Sequence, residues 1–488
     1  MSERWFAQGA VRLTRAIRAG EVSSRELLDL FLARIERLGG EVNAVVTLDV
    51  ERARAQADEA DAAAAQGSYF GPLHGLPITV KDSLETMGLR TTSGYPPLKD
   101  HVPAAHAASV QRLVDAGAIV FGKTNLPTLA GDAQTYNALF GVTRNPWDLA
   151  RTPGGSSGGS AAALAAGFTA LELGSDIAGS VRHPANWCGV YGHKPTHGVI
   201  PHRGHIPPPP GALSEVDLAT VGPMARAPED LALALDIMAG PLPGQAIAWS
   251  LGLPPPRHDD LTDYRVAVWL DDPACPVDDT VKATLLQAVE ALREAGVAVR
   301  DDVRPPIALA DVVRTYQRLL FPVFLSGVPE AALAQLGEFA ATLPDAESAA
   351  ALMARYAMLS HRDWLAAHEE RERIRRQCAV WFREIDVLLC PVDPCVALPH
   401  DHREPMALRT ITVNGAERPY LDVIGWIALA SMAHLPATAA PVGLTPGGLP
   451  VGIQIVGPQY EDRTTIDFAC RLAEVLGPAA LPPTFTQA

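Results

Sequence analysis

Lysine is scarce in this sequence. Five occur among 488 residues, at Lys81, Lys99, Lys123, Lys194 and Lys282, so arginine carries nearly all the positive charge. Acids outnumber bases and the net charge is −15, which argues against nucleic acid or an anionic membrane surface as the main partner. Cysteine is also sparse. The six (Cys188, Cys275, Cys378, Cys390, Cys395 and Cys470) form no CxxC pair and no metal-finger spacing, so reduced thiols are expected. No HExxH, EF-hand loop or Cys/His cluster suggests a metal. No run approaches 18 uninterrupted apolar residues, and no membrane span is expected. The opening MSERWFAQGAVRLTRAIRAG is charged throughout and lacks an apolar signal core, so a cytoplasmic location is expected.

What is present suits a large buried core: 48% hydrophobic residues against 19% charged. Ser23-Ser-Arg-Glu26 is a capping box ahead of a helix-period run, and a second helix is predicted over 50–66. GPLHGLPITVKD (71–82) reads as a turn and a short buried strand ending at Lys81. Residues 106–116 read as a helix, 118–121 as a buried strand, and 161–167 as a helix followed by the strand FTALEL. The tract IPPPPG (206–211) reads as a surface loop or linker. Strand, helix and strand alternate again over 264–301, then 308–385 is almost wholly helical. Strand patterns at 386–390 and 451–457 precede a closing helix at 462–475. The alternation predicts an α/β fold, one domain over 1–488 with a large central mixed twisted β-sheet flanked by helices on both faces. The stretch 60–200 is expected to hold the functional core, with 308–385 as a helical insertion that caps the cleft.

Two motifs mislead. Gly117-Ala-Ile-Val-Phe-Gly-Lys-Thr124 fits GxxxxGK[ST], but its middle residues favour a strand over a phosphate-cradling loop. Gly154-Gly-Ser-Ser-Gly158 fits GxSxG, yet the preceding DLARTP is no buried strand. His183 and His193 are read as structural groups rather than bases.

Three stretches carry chemistry together. A lysine ending a buried apolar strand can lose its charge and serve as a base. Glycines around Ser156 and Ser157 permit close backbone approach. GSDIAGSVRHPANW (174–187) places small residues before Ser180, leaving backbone N–H groups free to face a substrate oxygen. In this order GPLHGLPITVKD, GGSSGGS and GSDIAGSVRHPANWCGVYGHKPT resemble the amidase signature family. The likeness extends to GKTNLP, NALFGVTRNPWD and LPATAAPVGLTPGGLPVGIQIVGPQYED, so it runs through almost the whole chain.

The resemblance implies a Ser–cis-Ser–Lys triad with Ser180 as nucleophile, Ser156 as the bridging cis-serine and Lys81 as base; Ser157 is the fallback for the bridge. It implies an oxyanion hole from the amides of Ile177, Ala178, Gly179 and Ser180, with Asp176 and Arg182 as supporting groups. Leu129, Ala130, Gly131, Asp132 and Gln134 fall where the family lines its acyl pocket. There Asp132 is open to two readings, recognition of a polar or cationic group or a solvated loop carboxylate. No metal or cofactor is implied. One departure stands out: Ala178 replaces the family's usual glycine, which costs about 1–2 kcal/mol if the position needs a left-handed backbone.

The resemblance implies a stand-alone hydrolase of small or aryl amides, with ester and carbamate (urethane) cleavage open to the same triad. Its partners would be a small-molecule amide, ester or carbamate and, at most, a second copy in a homodimer; no nucleic acid or membrane is expected. One alternative is the A-type subunit of a glutamyl-tRNA amidotransferase, which would need partner subunits and tRNA. Another is a decayed amidase fold that only binds a ligand; intact Lys81, Ser156 and Ser180 argue against it.

Overall fold

A computed structural model describes residues 5–486, apart from 329, 344 and 346. The capping box forms as read: Ser23 Oγ accepts from Glu26 N–H at 3.0 Å, and the Glu26 carboxylate accepts from Ser23 N–H at 2.9 Å. The helix it starts, Ser24–Val42, ends at Asn43 in the left-handed region, a conformation asparagine tolerates. The chain then enters the strand Val45–Leu48.

Among the described residues the strands form an eight-stranded mixed sheet, a separate three-stranded one and two small two-stranded ones. The large sheet runs, in spatial order, Ala298–Arg300, Arg265–Val268, Val387–Pro391, Pro450–Val456, Ala437–Leu444, Tyr191–Lys194, Thr220–Ala225 and Leu171–Asp176. The first three are mutually parallel and the remaining pairings are antiparallel. Helices flank it, among them Gly158–Ala165, Arg182–Cys188, Asp279–Glu294 and Asp462–Leu476. The predicted mixed α/β architecture is therefore present.

The small sheet positions Lys81. Its central strand Ile119–Thr124 pairs antiparallel with Val45–Leu48 and parallel with Pro77–Lys81. The phosphate-loop motif thus lies largely in a central strand, where the ladder takes up backbone amides that a phosphate would need. Pro77–Lys81 is buried along its whole length and packs beside Leu171–Asp176. Both strands end at the site.

The helical stretch resolves into Leu309–Phe324, Glu330–Ala341, Ala349–Ala357 and His361–Trp381. Among the described residues no helix is long and apolar enough to cross a membrane.

Candidate active site

Lys81 sits among hydroxyls. Its Nζ lies 2.6 Å from Ser156 Oγ, 3.0 Å from Ser157 Oγ and 2.9 Å from Ser175 Oγ. Burial pulls its pKa down to about 7, against an upward pull from Asp176 and Glu172. The Gly155–Ser156 peptide bond is cis. A side chain at 155 would sit 2.5 Å from the Asp132 carbonyl oxygen, so only glycine fits where these two backbones touch. Ser157 N–H donates to the Ser180 carbonyl at 3.0 Å, pinning the serine-rich loop to the loop after Leu171–Asp176.

Ser180 lines a cleft together with Ala178, Asp132 and Tyr420. Asp176 organises the loop before it. Its carboxylate accepts from Gly179 N–H at 2.9 Å, from Val181 N–H at 3.1 Å and from the Arg182 guanidinium at 2.8 and 3.0 Å. Burial alone would raise the Asp176 pKa, but Arg182 and these donors hold it well below the usual carboxylate range. Arg182 continues to Gln454, Ser431 and the Ile427 carbonyl, tying the loop to the large sheet and the segment beside it.

Two buried groups pull the loop's carbonyls. Tyr316 OH donates to the Ile177 carbonyl at 2.7 Å, and His183 Nε2 lies 2.9 Å from the Ala178 carbonyl. His183 Nδ1 in turn sits 2.7 Å from Asp393. In a trans peptide the N–H opposes the C=O, so the Ala178 N–H points away from Tyr316. Among the described residues the N–H groups of Ile177, Ala178 and Ser180 have no protein acceptor. The Gly179 N–H differs from expectation: Asp176 already takes it.

The concern over Ala178 dissolves. It has no positive φ; the left-handed position is Gly179, at φ 87°. A side chain at Gly179 would lie 2.0 Å from His183 Nε2. Glycine is needed there, and Ala178 itself only lines the cleft.

The acyl-pocket expectations divide. Ala130, Gly131 and Asp132 line the cleft, whereas Leu129 and Gln134 do not. Gln134 is buried and exchanges two hydrogen bonds with the Asp401 backbone. Asp132 is neither solvated nor free to meet a cationic group: its side chain is only 6% exposed and pairs with Arg409 at 2.6 Å. Tyr420 OH donates to it at 2.6 Å as well. Leu320, Phe321 and Phe324 line the cleft from the 308–385 helical stretch, the segment expected to cap it, while Met406, Val423 and Ile424 come from segments that gave no sequence signal.

His197, Asp217 and His434 have metal-ligand chemistry and lie within 4.8 Å of one another. Arg371 already supplies the cation, donating to Asp217 at 2.7 Å and to His434 at 3.2 Å.

A family model described as Amidase matches residues 26–466. The chain belongs to the amidase family. The A-type subunit of glutamyl-tRNA(Gln) amidotransferase from Roseiflexus sp. (strain RS-1) is 34% identical over 486 residues, covering 92% of this chain and 93% of the relative. A solved structure described as a vestigial protein complex that reveals the evolutionary origins of an s-triazine catabolic enzyme is 30% identical. It covers 97% of this chain and 100% of its own, with a TM-score of 0.78. 6-Aminohexanoate cyclic dimer hydrolase complexed with substrate is 26% identical over 99% of this chain and 100% of its own, TM-score 0.76. The chain is thus an amidase signature hydrolase of mixed α/β fold.

Proposed function

We propose that this amidase hydrolyses small, largely apolar or aryl amides through an acyl-enzyme on Ser180. The observation that carries the reading is Lys81, buried with its amine on the cis-serine Ser156, beside a cleft lined by Ser180. Neutral Lys81 takes the Ser156 proton as Ser156 takes that of Ser180, and Ser180 Oγ bonds to the substrate carbonyl carbon. The N–H groups of Ile177, Ala178 and Ser180 receive the oxyanion, each well-placed donor contributing about 3–4 kcal/mol. The tetrahedral centre collapses, the C–N bond breaks, and Ser156 returns a proton to the departing amine. Water attacks the acyl ester by the same relay and frees Ser180.

The cleft argues for the substrate class. Its wall is mostly aliphatic and aromatic, and its carboxylate, Asp132, is already neutralised by Arg409. Free glutamine carries both an ammonium and a carboxylate, which this wall gives little to meet. A second reading, the amidotransferase A-type subunit, is favoured by curated relatives at 33–35% identity over 90% or more of both chains. A panel of anilides, aliphatic amides, esters, carbamates and glutamine, run on the purified chain alone, separates the two. Anilide turnover without partners is expected. Inactivity on the whole panel, with glutaminase activity appearing only when amidotransferase partner subunits are added, would overturn the first reading in favour of the second.

The base also predicts a pH profile. Below its pKa of about 7 Lys81 is an ammonium with no lone pair to accept a proton; above it the amine is free. kcat/KM should therefore rise as pH climbs through about 7 and level off on the alkaline side. A profile flat from pH 5 to 9 would remove Lys81 as the base.

A further inference from the structure

Ser175 touches Lys81 yet has no place in the proton path proposed above. It precedes Asp176 at the end of Leu171–Asp176, and its Oγ lies 2.9 Å from Lys81 Nζ and 2.8 Å from His205 Nε2. His205 leads into the proline-rich tract, and its Nδ1 lies 2.9 Å from the Pro207 carbonyl oxygen. A carbonyl only accepts, so Nδ1 carries the ring proton and Nε2 of the neutral ring is an acceptor. His205 is buried against the His202 ring, with centroids 4.4 Å apart; burial first, then His202 and Lys81, favour its neutral form.

The remaining hydrogen bonds follow. The Ser175 hydroxyl gives its proton to His205 and so meets Lys81 only as an acceptor. Ser157 Oγ has the Ser175 carbonyl at 3.4 Å as its acceptor and receives the Ser175 N–H at 3.3 Å, so it too accepts from Lys81. A neutral amine has two N–H groups and one lone pair. With both N–H groups spent on Ser157 and Ser175, the lone pair is left for Ser156.

We infer that His205, acting through Ser175, is a positioning residue that aims the Lys81 lone pair at Ser156. The inference rests on the triad reading of Lys81, Ser156 and Ser180. Without the ring acceptor, the Ser175 hydroxyl is free to turn and donate to Lys81, competing with Ser156 for the same lone pair.

The test is a double-mutant cycle on an anilide substrate, with kcat and KM measured separately and folding checked by thermal melts. His205→Phe keeps a ring against His202 and removes the acceptor; His205→Leu replaces it should that variant not fold. kcat should fall by about 10- to 100-fold, within what a general base contributes, with KM nearly unchanged. In a Ser175→Ala background, which has no hydroxyl to misdirect, the same change should cost little more. His205→Gln, whose side-chain carbonyl can accept, should recover part of the loss. Wild-type kcat in folded His205→Phe, or losses that multiply independently of Ser175, would overturn the role of His205. Ser180→Ala in the same series tests the triad separately: if it retains turnover the triad itself fails. If it is inactive while His205→Phe is normal, only the role of His205 is lost.

Discussion

Ser180→Ala should lose turnover by a factor on the order of 10⁴–10⁶ while the protein stays as stable as before. Both halves follow from the site. The proposed acyl-enzyme needs an oxygen at this position, and alanine offers none. Stability should hold because the Ser180 hydroxyl has no protein partner among the described residues, so its removal leaves no buried group unpaired. The residual rate would come from the loop amides and from binding alone. The measurement is single-turnover kinetics beside a denaturant melt. Wild-type-like turnover would sink the assignment, and a large drop in melting midpoint would mean that the hydroxyl supports the fold.

Lys81 shows how much of this site was legible in the sequence. Its scarcity and its place at the end of an apolar strand marked it out, but both features are less specific than they look. Lys123 and Lys194 are also buried, with pKa values pulled down to about 8 and about 7. Lys123 spends its amine on the Leu84 carbonyl and Thr86, and Lys194 on the Pro195 carbonyl. Only Lys81 meets Ser156, and that meeting spans 75 residues of chain. The ordered motifs carried the assignment where burial could not.

The elements themselves were legible because the period-two and period-3.6 patterns are local. Their partners were not. Tyr316 reaches Ile177 across 139 residues, and Arg409 reaches Asp132 across 277. No pattern near Asp132 announces a counter-ion that arrives from another segment, so it read as solvated or ligand-binding. The tract at 206–211 misled in a related way. Its prolines do lie at the surface, as their chemistry suggests, while His205 and Ile206 just before them are buried against Ser175 and the backbone of Ser83. Composition describes the exposed half of such a loop and says nothing of the half that points inward.

Asp176→Asn should damage the protein in two separable ways. The Asp176–Arg182 pair is fully buried, so removing its negative charge leaves a guanidinium without a counter-ion, a loss of about 3–5 kcal/mol. Because the folded-state pKa of Asp176 is depressed, wild type keeps this contribution at every pH above the ordinary carboxylate range and loses it only as pH falls through the folded value. The variant should therefore be less stable across the neutral range, with no recovery at higher pH. The second effect is local. A neutral amide oxygen cannot hold the Gly179 and Val181 N–H groups as the carboxylate does, so the loop before Ser180 loosens and turnover falls even where the protein remains folded. Adding Arg182→Met distinguishes the two, since it removes the orphaned charge while leaving the loop contacts weakened. The double variant should regain much of the unfolding midpoint and little of kcat. Joint recovery of both would assign Asp176 to stability alone, and an Asp176→Asn protein as stable and active as wild type would remove the brace from the mechanism.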